Sequence, residues 1–264
     1  MKNILVPVGA SENSASNLQY AIDLAHEFDA NVYVVSVFQE LSMLGNTEQE
    51  NAEIRRETRE RIDAVLHQVD QRDVSVIAHP IKGVMLEGIK RFASHIQTDL
   101  MVLSPRSNSV SDEVFLGNTS GMLLKGTDIP ILIVPEGAVF QKPKSILMAF
   151  KNGNFSKEGI LNPVMKIMEQ FGSELHVLHV ETPEVTEEKK VVSENLRSIQ
   201  TSYKKIEHAT TFQALLENFH SYDPDMVCVV RRKRGFFKLL WEKNVILKKE
   251  FHTKRPLLVL QVQD

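Results

Sequence analysis

Short, continuously apolar runs alternate along this chain with longer stretches of helical periodicity, and the whole alternation occurs twice. Residues 2–8 read as a strand, and Ser11 is placed to cap a helix whose apolar positions Leu18, Ala21, Ile22, Leu24 and Ala25 recur at helical spacing. Residues 31–38 form a second strand. Residues 47–69 form a helix that is polar except for a thin stripe of Ile54, Ile62, Val65 and Leu66. A strand at 74–78, a helix at 84–96, a strand at 100–103, a helix at 115–125 and a strand at 131–134 complete the first pass. The second pass predicts strands near 144–150, 174–180, 205–209, 226–230 and 257–262, with helices at 157–171, 187–202, 211–220 and 237–250 between them. Strands that are apolar throughout and separated by helices predict, in each half, a mostly parallel five-stranded sheet covered on both faces. Open sheets of this kind bind ligands beyond the carboxyl ends of the strands, where the connectivity reverses.

The two passes are copies of one unit. Asp99-Leu100-Met101-Val102-Leu103 and Pro130-Ile131-Leu132-Ile133-Val134 recur 126 residues later as Asp225-Met226-Val227-Cys228-Val229 and Pro256-Leu257-Leu258-Val259-Leu260. Lys2-Asn3-Ile4-Leu5-Val6 returns as Lys144-Ser145-Ile146-Leu147-Met148, and the run from Ala30 to Val37 as the run from Ser173 to Val180. The boundary is expected near residue 138, giving domains 1–138 and 139–264, with 137–143 as a linker short enough to hold them together.

Composition changes this picture in one respect. The net charge of −3 is the sum of −8 over residues 1–139 and +5 over residues 140–264, so the copies are electrostatically unlike. With no run near the roughly 20 apolar residues that span a bilayer, and a first strand directly after Met1, the expectation is a cytoplasmic protein with no membrane partner. The single Cys228 lies in an apolar strand and is expected to be a core residue.

The opening Ile4-Leu5-Val6-Pro7-Val8, then Ser11-Glu12-Asn13-Ser14 and a helix containing Ala21-Ile22 and Leu24-Ala25, resembles the universal stress protein family. So do Thr98-Asp99-Leu100-Met101-Val102, Gly117-Asn118-Thr119-Ser120 and Ile129-Pro130-Ile131-Leu132-Ile133-Val134-Pro135. The resemblance covers the first half and, more weakly, the second. It implies two tandem Rossmann-like α/β domains, which in this family commonly pair through their last strands, so that Ile131 to Val134 would meet Leu257 to Leu260 in an intramolecular pseudo-dimer; a further homodimer is compatible with it.

The resemblance also implies a nucleotide site, in which an Asp ends the first strand and a G-x-x-G-x9-G-[ST] loop follows the fourth. Glycines there let backbone approach phosphates, and the last pair opens a helix whose free N–H groups receive the negative charge. In the first copy the Asp position is Gly9, beside Pro7, and the loop reads Ser104, Ser107 and Gly117-Asn118-Thr119 at the same spacing, with Pro105 stiffening the turn. Pro7, Gly9, Ser104, Ser107, Gly117, Asn118 and Thr119 are therefore the expected binding residues, with ATP or AMP, or another anionic small molecule, as the candidate ligand. In the second copy the matching positions are Lys151, Val230, Lys233 and Lys243, which offer no cradle, so that site is expected to be lost.

Arg231-Arg232-Lys233-Arg234 is the most basic run, and residues 225–255 hold ten Lys/Arg against three Asp/Glu. It reads as a solvated loop beside a packed helix, or as a surface for an anionic molecule or protein; nucleic acid is disfavoured because the rest of the chain offers no extended basic face. His176 and His179 fall on opposite faces of one strand and cannot chelate one metal, and no other His shows ligand spacing. No nucleophile elbow or Walker loop is present, so no catalytic residue and no metal ligand is assigned. The expected function is a non-catalytic, stress-response regulatory binding module with a degenerate nucleotide site in its first domain. A ligand-free scaffold acting on an unidentified protein partner is the first alternative, and a weak ATPase the second.

Overall fold

The computed structural model describes residues 1–9, 11, 13–40, 48–107, 114–115, 118–151, 153, 155, 159–181, 192–232 and 255–262. It divides the chain into two units, Met1–Arg106 with Leu116–Phe140, and Ser107–Phe115 with Gln141–Asp264. The chain runs through β1 (Asn3–Pro7), α1 (Ser14–Phe28), β2 (Asn31–Phe38), α2 (Glu48–Leu66), β3 (Val76–Lys82), α3 (Met85–His95), β4 (Leu100–Leu103), β5 (Arg106–Ser107), β6 (Val114–Phe115), α4 (Asn118–Gly126) and β7 (Ile131–Ile133). The sheet of the first unit has the order β7-β4-β1-β2-β3, and its neighbouring strands are parallel. Connectivity reverses between β1 and β4. Ile4, Leu5, Val6, Val32, Val34, Leu100, Met101 and Val102 are fully buried, as a parallel sheet covered on both faces requires. Helices α1 and α2 pack on each other, as do α3 and α4.

The second unit repeats the plan with β8 (Ser145–Phe150), α5 (Asn162–Phe171), β9 (Glu174–Glu181), α6 (Glu194–Ile199), β10 (Ser202–Glu207), α7 (Thr211–Tyr222), β11 (Met226–Arg232) and β12 (Leu257–Val262). Its strand order is β10-β9-β8-β11-β12, again parallel throughout. Register repeats as well: Ile4 lies opposite Leu100 and Val32, and Ile146 opposite Met226 and Leu175.

Several local expectations are corrected. The third strand continues through Pro80 to Lys82, with Ser36 opposite Pro80; β3 pairs with β2 alone, and an edge strand tolerates a residue without an N–H. Helix α1 begins at Ser14 with Asn13 at its N-cap position, and the Ser11 hydroxyl accepts instead from the Asn13 N–H at 3.4 Å. Residues Val114–Phe115 pair with Arg106–Ser107 as a two-stranded sheet, so α4 starts three residues later than predicted. Of the helix expected at 187–202, Glu194–Ile199 is helical. The helix expected at 237–250 lies outside the described residues.

One carboxylate per unit ties the first strand to the fourth. Asp99 Oδ2 accepts from the backbone N–H groups of Lys2 (2.7 Å) and Asn3 (3.1 Å), and Asp225 Oδ2 accepts from those of Lys144 (2.8 Å) and Ser145 (3.1 Å). Charge-assisted bonds of this kind are stronger than neutral ones. Asp99→Ala should weaken the β1–β4 junction by about 1–3 kcal/mol, read as a roughly ten- to hundredfold faster hydrogen exchange of β1 amides, with Asp99→Asn less affected because its amide oxygen still accepts. Cys228 is fully buried in β11, and burial pushes its thiol well above the ordinary range. A maleimide should therefore leave Cys228 unmodified in native buffer and label it only after denaturation.

Candidate functional site at the strand reversal of the first unit

Where β1 and β4 diverge, the chain leaves the sheet at Val8-Gly9 and Ser104-Pro105, and a cleft of about 200 Å³ opens between them. Its floor is Pro7, Val8, Gly9, Leu103 and Ser104, one wall is Val35 and Val37 of β2, and another is Met85 and Ile89 of α3. The first turn of α1 contributes Ser14 and Asn17, with Ser11 just before it, and the first turn of α4 contributes Thr119 and Ser120.

Local hydrogen bonds fix this rim. The Val8 N–H donates to Val35 O at 2.8 Å, and the Ser14 hydroxyl donates to Gly9 O at 3.2 Å, tying the end of β1 to β2 and to α1. The Ser120 hydroxyl donates to Ser104 O at 3.0 Å, which joins α4 to the end of β4. A Cβ built on Gly9 meets nothing within 4 Å, so this glycine faces open space. Asn17, only 4% exposed, keeps its Oδ1 buried without a hydrogen-bond partner. Leaving a buried acceptor unsatisfied costs about 1–3 kcal/mol. No charged side chain is found among the described residues that line the cleft.

Of the residues expected from sequence, Pro7, Gly9, Ser104 and Thr119 line this one cleft. Asn118 opens α4, and Ser107 lies in β5 within the second unit; their side chains, and Gly117 altogether, lie outside the described part. Ser11, Ser14, Asn17, Ser120 and the apolar walls were missed. Asn17 carried a signal, for it stands four residues before Ala21 and seven before Leu24, on the stripe that α1 buries.

The matching place in the second unit is built differently. Strand β11 continues through Val230, Arg231 and Arg232, paired with Leu260, Gln261 and Val262, where β4 has already stopped. Arg231 is not in a solvated loop as expected: it is 8% exposed, and its Nη1 donates to Gln261 Oε1 at 3.0 Å. Lys233, Arg234 and Lys243 lie outside the described residues. His176 Nδ1 pairs with the Ser202 hydroxyl at 2.8 Å and His179 Nδ1 with the Tyr203 hydroxyl at 2.7 Å, so the two rings have separate partners. Among the described residues no group of three His, Cys, Asp or Glu could hold a metal ion, and no helix is long and apolar enough to cross a membrane.

Doubly wound parallel sheets with a cleft at the reversal define a pair of Rossmann-like units. Residues 1–135 match the universal stress protein family, and the chain belongs to that family. A universal stress protein of Methanocaldococcus jannaschii is 28% identical over 148 residues, covering 54% of this chain and 84% of that protein. The crystal structure of a universal stress protein from Archaeoglobus fulgidus shares the fold with a TM-score of 0.69 at 20% identity, over 99% of this chain and 97% of that one. A functionally unknown protein from Pseudomonas aeruginosa does so with a TM-score of 0.59 at 15% identity, over 98% and 92%.

Because Gly9 has no positive φ and its Cβ direction is open, Gly9→Ala should keep the fold and raise stability by about 0.4–1 kcal/mol through the unfolded chain. Denaturant unfolding would show this; a loss of stability would mean that the cleft is closed at Gly9.

Proposed function

We propose that the chain is a stress-response regulatory binding module whose first domain takes a nucleotide, ATP or AMP, in the cleft at the β1–β4 reversal, without catalysis. One observation carries this reading: Pro7, Gly9, Ser104 and Thr119 meet in a single cleft at the carboxyl ends of the strands. The residues fit such a ligand. Val35, Val37, Met85 and Ile89 offer an apolar slot for a planar ring, while the hydroxyls of Ser11, Ser14, Ser104, Thr119 and Ser120 and the first-turn N–H groups of α4 offer neutral donors for its polar part. Occupancy then biases which surface the protein presents to a protein partner. The second copy, with β11 extended across the place of the loop, serves as a pseudo-domain.

A ligand-free scaffold is the second reading, favoured by the lack of any cation among the described residues lining the cleft. Calorimetric titration with ATP, ADP and AMP, with and without magnesium, separates the two. One site per chain of micromolar affinity is expected for wild type, and Gly9→Trp, which fills the cleft from an open position, should abolish it while the melting temperature stays within a few degrees. Absence of binding to all three nucleotides would leave the scaffold.

A further inference from the structure

Strand β3 ends one side of the first unit's sheet, pairing with β2 alone. A free edge is a row of backbone donors and acceptors on which a further strand can be built. The direction of each group on this edge follows from the ladder. The Val32 N–H donates to Ser75 O at 2.9 Å and the Gly83 N–H donates to Phe38 O at 2.9 Å, so the backbone groups of Ser75 and Gly83 face β2. Because these groups alternate in direction along a strand, those of Ile77, His79 and Ile81 also face β2, and those of Val76, Ala78, Pro80 and Lys82 face outward.

The outward set is closed one member after another. Ala78 O accepts from Arg59 Nη1 at 3.2 Å, Lys82 O accepts from Arg91 Nη2 at 3.1 Å, and Pro80 between them has no N–H. Each guanidinium stands where an incoming strand would place its own N–H. Arg59 is held in that position from its own helix, for its Nε donates to the Asp63 carboxylate at 3.2 and 3.3 Å, and the planar fork serves both partners at once. The strand so covered is one inclined to pair. Val76 and Ile77 are β-branched, and Ile77 is 39% exposed.

We infer that Arg59, Pro80 and Arg91 guard the β3 edge against strand addition, and that the partner they exclude is the same edge of a second copy of this chain. Two β3 strands meeting about a two-fold axis run antiparallel and present the same outward row to each other, so each copy is a ready partner for the next. The guard works by capture of carbonyls and loss of a donor. Repulsion between cations is not its basis, since Asp63 lies against Arg59, and Glu40 is bonded to Lys82.

The test follows hydrogen exchange of the Val76, Ala78 and Lys82 amides, together with sedimentation, in the full chain and in the triple variant Arg59→Ser/Pro80→Thr/Arg91→Ser. Both are measured over about a hundredfold range of protein concentration, in low salt and in about 1 M salt, where exposed charges are screened. In wild type these amides should exchange at a rate independent of concentration in both salts. In the triple variant they should slow by about tenfold or more at the high concentration, in step with association seen in sedimentation. Slowing in wild type at low salt would show an open edge, and slowing in wild type at high salt alone would show repulsion in place of capture; either overturns the inference. So would a folded triple variant whose amides exchange independently of concentration. Should the triple variant not fold, the double variant Arg59→Ser/Arg91→Ser, changed only at exposed side chains, takes its place under the same criteria.

Discussion

The architecture of both units depends on a carboxylate that faces two backbone N–H groups at the start of the first strand. Asp99 and Asp225 each precede a fourth strand and each accept from two successive residues opening the first one. The central strands of the sheet, β1 with β4 and β8 with β11, are thereby joined before their ladders begin, and the register is the same in both units. A parallel pair has no hairpin to set its register, so the restraint has to come from elsewhere, and here it comes from a side chain at the strand entrance. The entrance also determines the exit. With Ile4 opposite Leu100, the carboxyl ends fall at Pro7 and Leu103, and the cleft lies where these two chains turn away from each other.

The two units share that entrance and differ at the exit, and the difference can be traced to single residues. After Leu103 the first unit has Ser104-Pro105; the second has Val230-Arg231 after Val229. Proline has no N–H to donate to a ladder, so the fourth strand of the first unit stops and the chain turns off the sheet. Val230 and Arg231 keep their donors, one being β-branched, and the strand runs on beside β12. The backbone groups of Val230 and Arg231 are then used within the sheet. The difference between the two units at this place is in this sense a difference in strand length.

This also marks how far the chain could be read from its residues alone. The duplication, the parallel order and the helices of the first unit were legible because the apolar runs are long and recur at fixed offsets. The third strand was expected to end at Ala78, and only the sheet order reveals that β3 is an edge that tolerates Pro80. Ser11 misled as a cap because serine suits several of the positions before a helix, and it is the neighbouring Asn13 that occupies the cap. Pro7, Gly9, Ser104 and Thr119, expected through the resemblance to the family's motif, line one cleft. The apolar walls from β2 and α3 were not expected, because their nearness to β1 follows from topology and no local pattern distinguishes Val35 or Ile89 from ordinary core. Arg231 shows the same limit in reverse: a run of four basic residues looks solvated until the strand that holds its first member is seen.

Asn17 bears most directly on whether the first unit is a binding site or a scaffold. Amides that replace an apolar residue on a buried stripe are costly unless both ends find partners. Leucine, of nearly the same shape, would remove that cost. The neighbouring Gly9 argues alike: an open Cβ direction beside a cleft is space that a side chain could fill for added stability, and the chain leaves it vacant. Two stabilising substitutions are thus available at adjoining positions, and neither is made. Both positions line the cleft at the carboxyl ends of the strands, where parallel sheets of this topology receive ligands.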